Sequence, residues 1–255
     1  MKNIALTIIL YFLCFGLNGC NQTTDGSGSG AVKPTSGTND VAAVNLNLGI
    51  EYLRLGNYEK ALSKLENARE ADENYPPTYN TLGILYQRLG DKVRAEDNYQ
   101  HALRLNSSDP STLNNYGQFL CQEGRFDEAE AVFLKAAQNP LYPTPEIALS
   151  NAGTCAMAHG NLDIAEKYFR SALEQNPRVA VALLQMAQIS YTNASYLSAR
   201  AYLQRYLEIG KHTAKTLWLG INIERELGDK NLLASYELLL KNKFPRSKEA
   251  SLLKK

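Results

Sequence analysis

From Val41 onward, apolar residues recur at helical spacing and are interrupted at short intervals by glycine or proline, which predicts a run of short amphipathic helices. LNNYGQFLCQEGRF, Leu113 to Phe126, shows the unit: an apolar stripe through Leu113, Tyr116, Phe119 and Leu120, then a polar turn around Gly124. The pattern repeats. Small residues fall at Gly49, Gly83, Gly117, Gly153, Ala187 and Gly220, at spacings of 34, 34, 36, 34 and 33. Twelve residues after each of the first five stands an alanine: Ala61, Ala95, Ala129, Ala165 and Ala199. Two small-residue registers in step let a first helix approach a second one closely, the glycine-type residue facing the alanine; larger side chains would push the axes apart. Glycines in RLGN, RLGD, QEGR and AHGN mark the end of each first helix, where a left-handed residue is needed, and Pro76, Pro110 and Pro177 separate one unit from the next.

The segment YNTLGILYQRLGDKVRAEDNYQHAL carries Leu82, Gly83, Tyr86, Gly90, Ala95, Tyr99 and Ala102 at the spacing of a tetratricopeptide repeat, which the whole pattern resembles. The resemblance implies an all-α fold, a right-handed superhelical solenoid of about six tetratricopeptide-repeat helix pairs. Repeats are expected near 42–75, 76–109, 110–143, 146–179, 180–212 and 213–246, followed by a C-terminal cap. NPLYPTPE absorbs the two extra residues before repeat four. Repeat six slips register after LWLGINIERELGD and reads as a degraded capping unit. The tail KNKFPRSKEASLLKK, six basic residues against one acid, is expected as a solvated end, with membrane or cell-wall contact as the alternative.

The first residues, MKNIALTIILYFLCFGLNGC, are one lysine, an apolar run from Ile4 to Leu17 and a terminal cysteine. This reads as a secretory signal over 1–19, too short for a settled membrane span. LNGC resembles a bacterial lipobox, which implies acylation of Cys20, and by the same resemblance Asn21 favours the outer membrane. An uncleaved anchor, or a secreted protein with a chance cysteine, is the alternative. NQTTDGSGSGAVKPTSGTND then reads as a disordered tether with a typical reach of about 25 Å. Residues 20–40 are thus a lipidated linker and 41–255 the folded domain.

Charge narrows the partners. The 27 basic and 26 acidic residues, or 26 of each without Lys2, leave no net field for a polyanion, so nucleic acid is not expected. Chemistry is sparse: His101, His159 and His212 have no partner at ligand spacing, and HExxH, CxxC, GxSxG and Walker patterns are missing. Acids in DEAE (127–130) and AED (95–97) fall near the start of second helices, where they complement the helix dipole. The reading is a binding protein, not an enzyme, with no metal, cofactor or small-molecule substrate.

With Ala42 as position 1, the concave positions 2, 5, 9 and 12 are Ala43, Leu46, Ile50 and Leu53 in repeat one. Repeat two offers Pro77, Asn80, Ile84 and Gln87; repeat three offers Ser111, Asn114, Gln118 and Cys121. A face that is greasy at one end and amide-rich toward the middle suits an extended or helical peptide. The expected protein-binding residues are Ala43, Leu46, Ile50, Leu53, Asn80, Ile84 and Asn114; the alternative is that the tether folds back over repeat one. No Lys or Arg occupies positions 2, 5 or 9 of the first four repeats, which argues against clamping of a C-terminal carboxylate.

Four segments go beyond the generic repeat: NNYGQFLCQEGRFDEAEAVFLKAAQNPLYPTPE, NAGTCAMAHGNLDIAEKYFRSALEQNP, SARAYLQRYLE and LWLGINIERELGDKNLLASYELLLKNKFPRSKEA. With the LNGC start they resemble the type IV pilus biogenesis lipoproteins of the PilF/PilW group, the pilotins, from about Val41 to Ala250. That resemblance implies a lipid-anchored outer-membrane protein facing the periplasm, which binds the type IV pilus secretin subunit and promotes its outer-membrane localisation and multimerisation. Another periplasmic repeat scaffold, serving barrel assembly or cell-wall enzymes, would share the tether and repeats but not these segments.

Cys14 leaves with the signal and Cys20 is acylated, so two thiols remain in an oxidising compartment. In the repeat register Cys121 is position 12 of one first helix and Cys155 is position 10 of the next. Two positions are about 200° of rotation and about 3 Å of rise, which lets the sulfurs face each other across the seam. A Cys121–Cys155 disulfide is the expectation, two buried free thiols the alternative.

Overall fold

The structure, a computed structural model, describes residues 40–253. The expected signal, the expected acylation at Cys20 and the tether up to residue 39 lie outside the described residues; Asp40, expected as the last tether residue, instead opens the first helix. Within them the chain forms thirteen α-helices and no strand. The first twelve make six antiparallel pairs: α1 (Asp40–Arg54) with α2 (Tyr58–Ala71), α3 (Pro76–Leu89) with α4 (Lys92–Leu105), and α5 (Pro110–Gln122) with α6 (Phe126–Ala137). They continue with α7 (Pro145–Ala158) and α8 (Leu162–Gln175), α9 (Ala180–Thr192) and α10 (Tyr196–Leu207), and α11 (Ala214–Leu227) and α12 (Lys230–Lys243). From α1 to α9 each odd helix touches the next odd helix, while each even helix touches the odd helices before and after it. The odd helices therefore form the inner, concave layer of a tetratricopeptide-type solenoid.

The turns follow from local chemistry. Gly56, Gly90, Gly124, Gly160 and Gly228 close the odd helices with φ between 73° and 87°, which costs a glycine no steric strain. The residue after the glycine caps the even helix: Asn57, Asp91, Asn161 and Asp229 each accept a hydrogen bond from the backbone N–H three residues on. In repeat three Arg125 holds this place and makes no cap; its guanidinium bonds Glu96 and Glu128 instead. In repeat five the turn has no glycine, and Ala194 takes φ 56°.

The close approach within each pair involves more than the expected glycine-to-alanine contact, which is present in the first pair, where the Ala61 carbonyl faces Gly49. The alanines are fully buried, yet the side chain lying over each glycine comes sixteen residues later, not twelve: Leu65 over Gly49, Tyr99 over Gly83, Phe133 over Gly117 and Phe169 over Gly153. Sixteen residues carry the chain across the turn and one helical turn further down the even helix, where a long side chain slants back over the glycine. The missing Cβ makes room for a large side chain, a leucine in the first pair and an aromatic ring in the next three, and not merely for a neighbouring backbone.

Repeat six does slip, by one residue: Gly228 follows Gly220 by eight positions, against seven in the earlier repeats. The helix pair still forms, with Tyr236 over Gly220. The tail is more than a solvated end. Its short helix α13 (Lys248–Leu252) packs on α11 and α12, and Ala250 joins Leu217, Ile221 and Leu240 in a buried cluster flanked by Phe244 and Leu253. The apolar underside closes the core while Lys241, Lys243, Arg246 and Lys248 are exposed.

Candidate functional site: the concave face

The inner face is stitched by side-chain amides. Asn115 Nδ2 of α5 donates to Asn80 Oδ1 of α3 at 3.1 Å, and Gln87 Nε2 donates to Gln122 Oε1 at 2.7 Å. One repeat further, Asn151 Nδ2 of α7 donates to Asn114 Oδ1 at 2.9 Å. The same α5–α7 seam carries a disulfide between Cys121 and Cys155, with Cα atoms 5.8 Å apart. Arg88 Nη1 donates to the Leu53 carbonyl at 3.2 Å and ties α3 to the end of α1.

Between these links lies an open hollow of about 450 Å³, lined by Ile84, Gln87, Arg88, Tyr99, Asn115, Gln118 and Gln122. Tyr99 is its floor. It is fully buried, its ring lies 5.8 Å from both Tyr116 and Phe119, and its hydroxyl donates to Gln87 Oε1 at 2.7 Å, which fixes that amide. Burial pushes the phenol well above its ordinary range, so Tyr99 stays a neutral donor. Gln118 is half-buried and makes no hydrogen bond among the described residues, leaving its amide for a ligand. An apolar edge at Ile84, several amides and one guanidinium match the alternating N–H and C=O groups of a peptide main chain. No group of three or more His, Cys, Asp or Glu among the described residues could hold a metal ion.

The sequence-derived residues divide. Leu46 is fully buried and Ala43 and Leu53 are 5 % exposed, so these three do not line the open hollow, while Ile50 is half-buried. Asn80 and Ile84 are half-buried on the open face; Asn114 is buried under its bond with Asn151. Two apolar positions were missed. Ile147 and Val181, both at position 2 of their repeats, are 44 % and 51 % exposed, and extending the register to repeats four and five finds them. Arg88 falls at position 13, one beyond the positions read, which is why this face reads as free of cations in sequence.

The histidines are packing groups. His101 is half-buried against the Tyr79 ring, 4.0 Å between centroids, and burial followed by the Arg104 charge lowers its pKa. His159 lies against Phe126 at 4.5 Å, and His212 is half-buried near Tyr236, its pKa lowered by burial and Lys243.

Helix pairs of this spacing with a concave inner layer define a tetratricopeptide-repeat protein, and the chain matches that family over residues 40–108 and again over 80–143 and 151–212. It is 31 % identical over 241 residues to the type IV pilus assembly protein PilF of Pseudomonas aeruginosa, covering 94 % of each chain. The chain belongs to the PilF/PilW group of tetratricopeptide-repeat proteins. The solved structure of Pseudomonas aeruginosa PilF aligns with a TM-score of 0.77 at 31 % identity, over 84 % of this chain and 97 % of that one. The crystal structure of PilW, described as a widely conserved type IV pilus biogenesis factor, aligns with a TM-score of 0.75 at 30 % identity, over 86 % and 100 %. YrrB, described as a tetratricopeptide-repeat protein with an unusual peptide-binding site, shares the fold at 17 % identity and a TM-score of 0.58, over 74 % of this chain and 97 % of that one.

Proposed function

We propose that the chain is an outer-membrane lipoprotein of type IV pilus biogenesis, a pilotin that holds the pilus secretin subunit on its concave face and promotes its localisation and multimerisation. Membership of the PilF/PilW group supports the pilus setting. The observation that carries the binding role is the amide-lined hollow at Ile84, Gln87 and Gln118, where one fixed and one unengaged amide lie beside an apolar edge. A secretin segment runs along the inner helices from the first repeat, with Ala43, Leu46, Ile50 and Leu53, past Asn80, Ile84 and Asn114. Acyl chains on Cys20 hold the domain at the membrane, each buried methylene adding ~0.8 kcal/mol, so that several chains anchor it firmly.

Two variants test the halves separately. Ile84→Asp, checked for native helicity, is expected to lose secretin co-purification; undiminished recovery would move the site off this face. Cys20→Ala is expected to leave a folded protein that no longer delivers secretin multimers to the outer-membrane fraction, and normal multimer levels there would overturn the anchoring role.

A further inference from the structure

A second hollow lies away from the concave face, between the turns of repeats three and four. About 170 Å³ in volume, it is enclosed by Phe126, Asp127 and Glu130 of α6, by Ala152, Cys155 and Ala156 of α7, and by His159, Asn161, Ile164 and Tyr168 at the following turn and on α8. Its size decides what it can take: drug-sized ligands need roughly 300 Å³ or more, whereas one long side chain fits here. Ala152, Ala156 and Ile164 are apolar walls, suited to a methylene stem. The rings of Phe126 and His159, 4.5 Å apart, and the Tyr168 ring supply aromatic surface.

The charge is one-sided. Asp127 is exposed, and the Glu130 carboxylate accepts a hydrogen bond from the Tyr168 hydroxyl, which holds it in place. Two shallower hollows continue from the shared His159 along the turn edge, one over Gly160 to Asp163 and one over Gly124 to Glu128. They add the carboxylates of Asp163 and Glu128. The one cation lining any of the three hollows is Arg125, already bonded to Glu96 and Glu128. Cys155 lies in the wall, so the bridge to Cys121 fixes α5 against α7 directly beside the hollow.

We infer that this hollow is a socket for a single lysine or arginine side chain of an extended basic segment on a protein partner, lying along the turn edge of repeats three and four. The stem packs on the alanines and Ile164, and the cationic head is drawn to aromatic faces and to Asp127 and Glu130. This socket is separate from the concave face and does not depend on the pilus reading.

The test is a solution titration of the full chain, followed by NMR at the Phe126, His159 and Tyr168 signals. The probes are acetyl-Gly-Lys-Gly-amide and acetyl-Gly-Arg-Gly-amide, with acetyl-Gly-norleucine-Gly-amide as the uncharged control. Saturable shifts with at least one cationic probe, weakened about fivefold or more by Asp127→Asn and by Phe126→Ala and reduced by salt, are expected. The two substitutions act on an exposed acid and on a ring, so failure of one to fold leaves the other as the test. Equal response to the norleucine peptide, absence of saturation with both cationic probes, or shifts confined to the concave face would each overturn the socket.

Discussion

Gly83 lies directly beneath the ring of Tyr99, so that a Cβ added to the glycine would stand 2.8 Å from the ring's Cδ1 and Cε1. Tyr99 is fully buried and anchored by its bond to Gln87, so its ring has nowhere to move without disturbing the hollow's floor. Gly83→Ala is therefore expected to cost about 1–3 kcal/mol of overpacking, less the ~1 kcal/mol gained from alanine's better helix propensity. Urea unfolding would show the fall, and an unchanged midpoint would mean the helices part at no cost.

The opposite sign is expected at Ala194, whose φ of 56° strains an L-residue in the one turn inside a helix pair that lacks glycine. Ala194→Gly should stabilise the protein by about 1 kcal/mol. The same unfolding assay reads it, and a lower midpoint would show that Ala194 makes contacts worth more than the strain.

Cys121 and Cys155 are 34 residues apart in sequence and close a loop over the proline-rich joint between repeats three and four. In the chain-entropy model the bridge contributes roughly 3–4 kcal/mol. Replacing both cysteines with serine, or reducing the bridge, should lower stability by about that amount. Equal unfolding curves for oxidised and serine forms would remove the bridge from the list of stabilising elements.

Glu96 of α4 ties α5 and the α5–α6 turn to its own helix, accepting from Arg125 Nη1 at 2.6 Å, Tyr116 Oη at 2.8 Å and Gln100 Nε2 at 3.1 Å. Burial pushes its carboxyl upward, but the hydrogen bonds from Arg125 and Tyr116 outweigh it and hold the group below its ordinary value of 4.5. A depressed carboxylate contributes stability above the unfolded value, and that contribution is lost as pH falls through the lower, folded value. Glu96→Gln should cost about 1 kcal/mol at neutral pH, after allowing for solvent screening, and flatten the stability profile below about pH 4.5. An unaltered acid slope would assign the acid sensitivity to other carboxylates.

Much of the fold is legible in the sequence because its determinants are local. The glycines at 56, 90, 124, 160 and 228 announce their turns, and the period near 34 announces the pairs. The candidate site was only half legible. Repeat register puts Asn80 and Ile84 on the inner face, but it does not say that Asn80 is engaged by Asn115 or that Gln118 is left free. It also selects Leu46, which is fully buried, and passes over Ile147, which is 44 % exposed.

The sequence by itself determined the helix pairs, their turns and the family to which the chain belongs, since spacing, capping and backbone sterics act over a few residues. Tertiary structure decided the rest: which ring fills each glycine's space, how Arg88 reaches the Leu53 carbonyl, and how the tail turns its apolar side onto α11. Those contacts join groups far apart along the chain and depend on the rotation of one repeat against the next. No short window of sequence encodes that rotation; it is set by the summed packing of the side chains between the repeats.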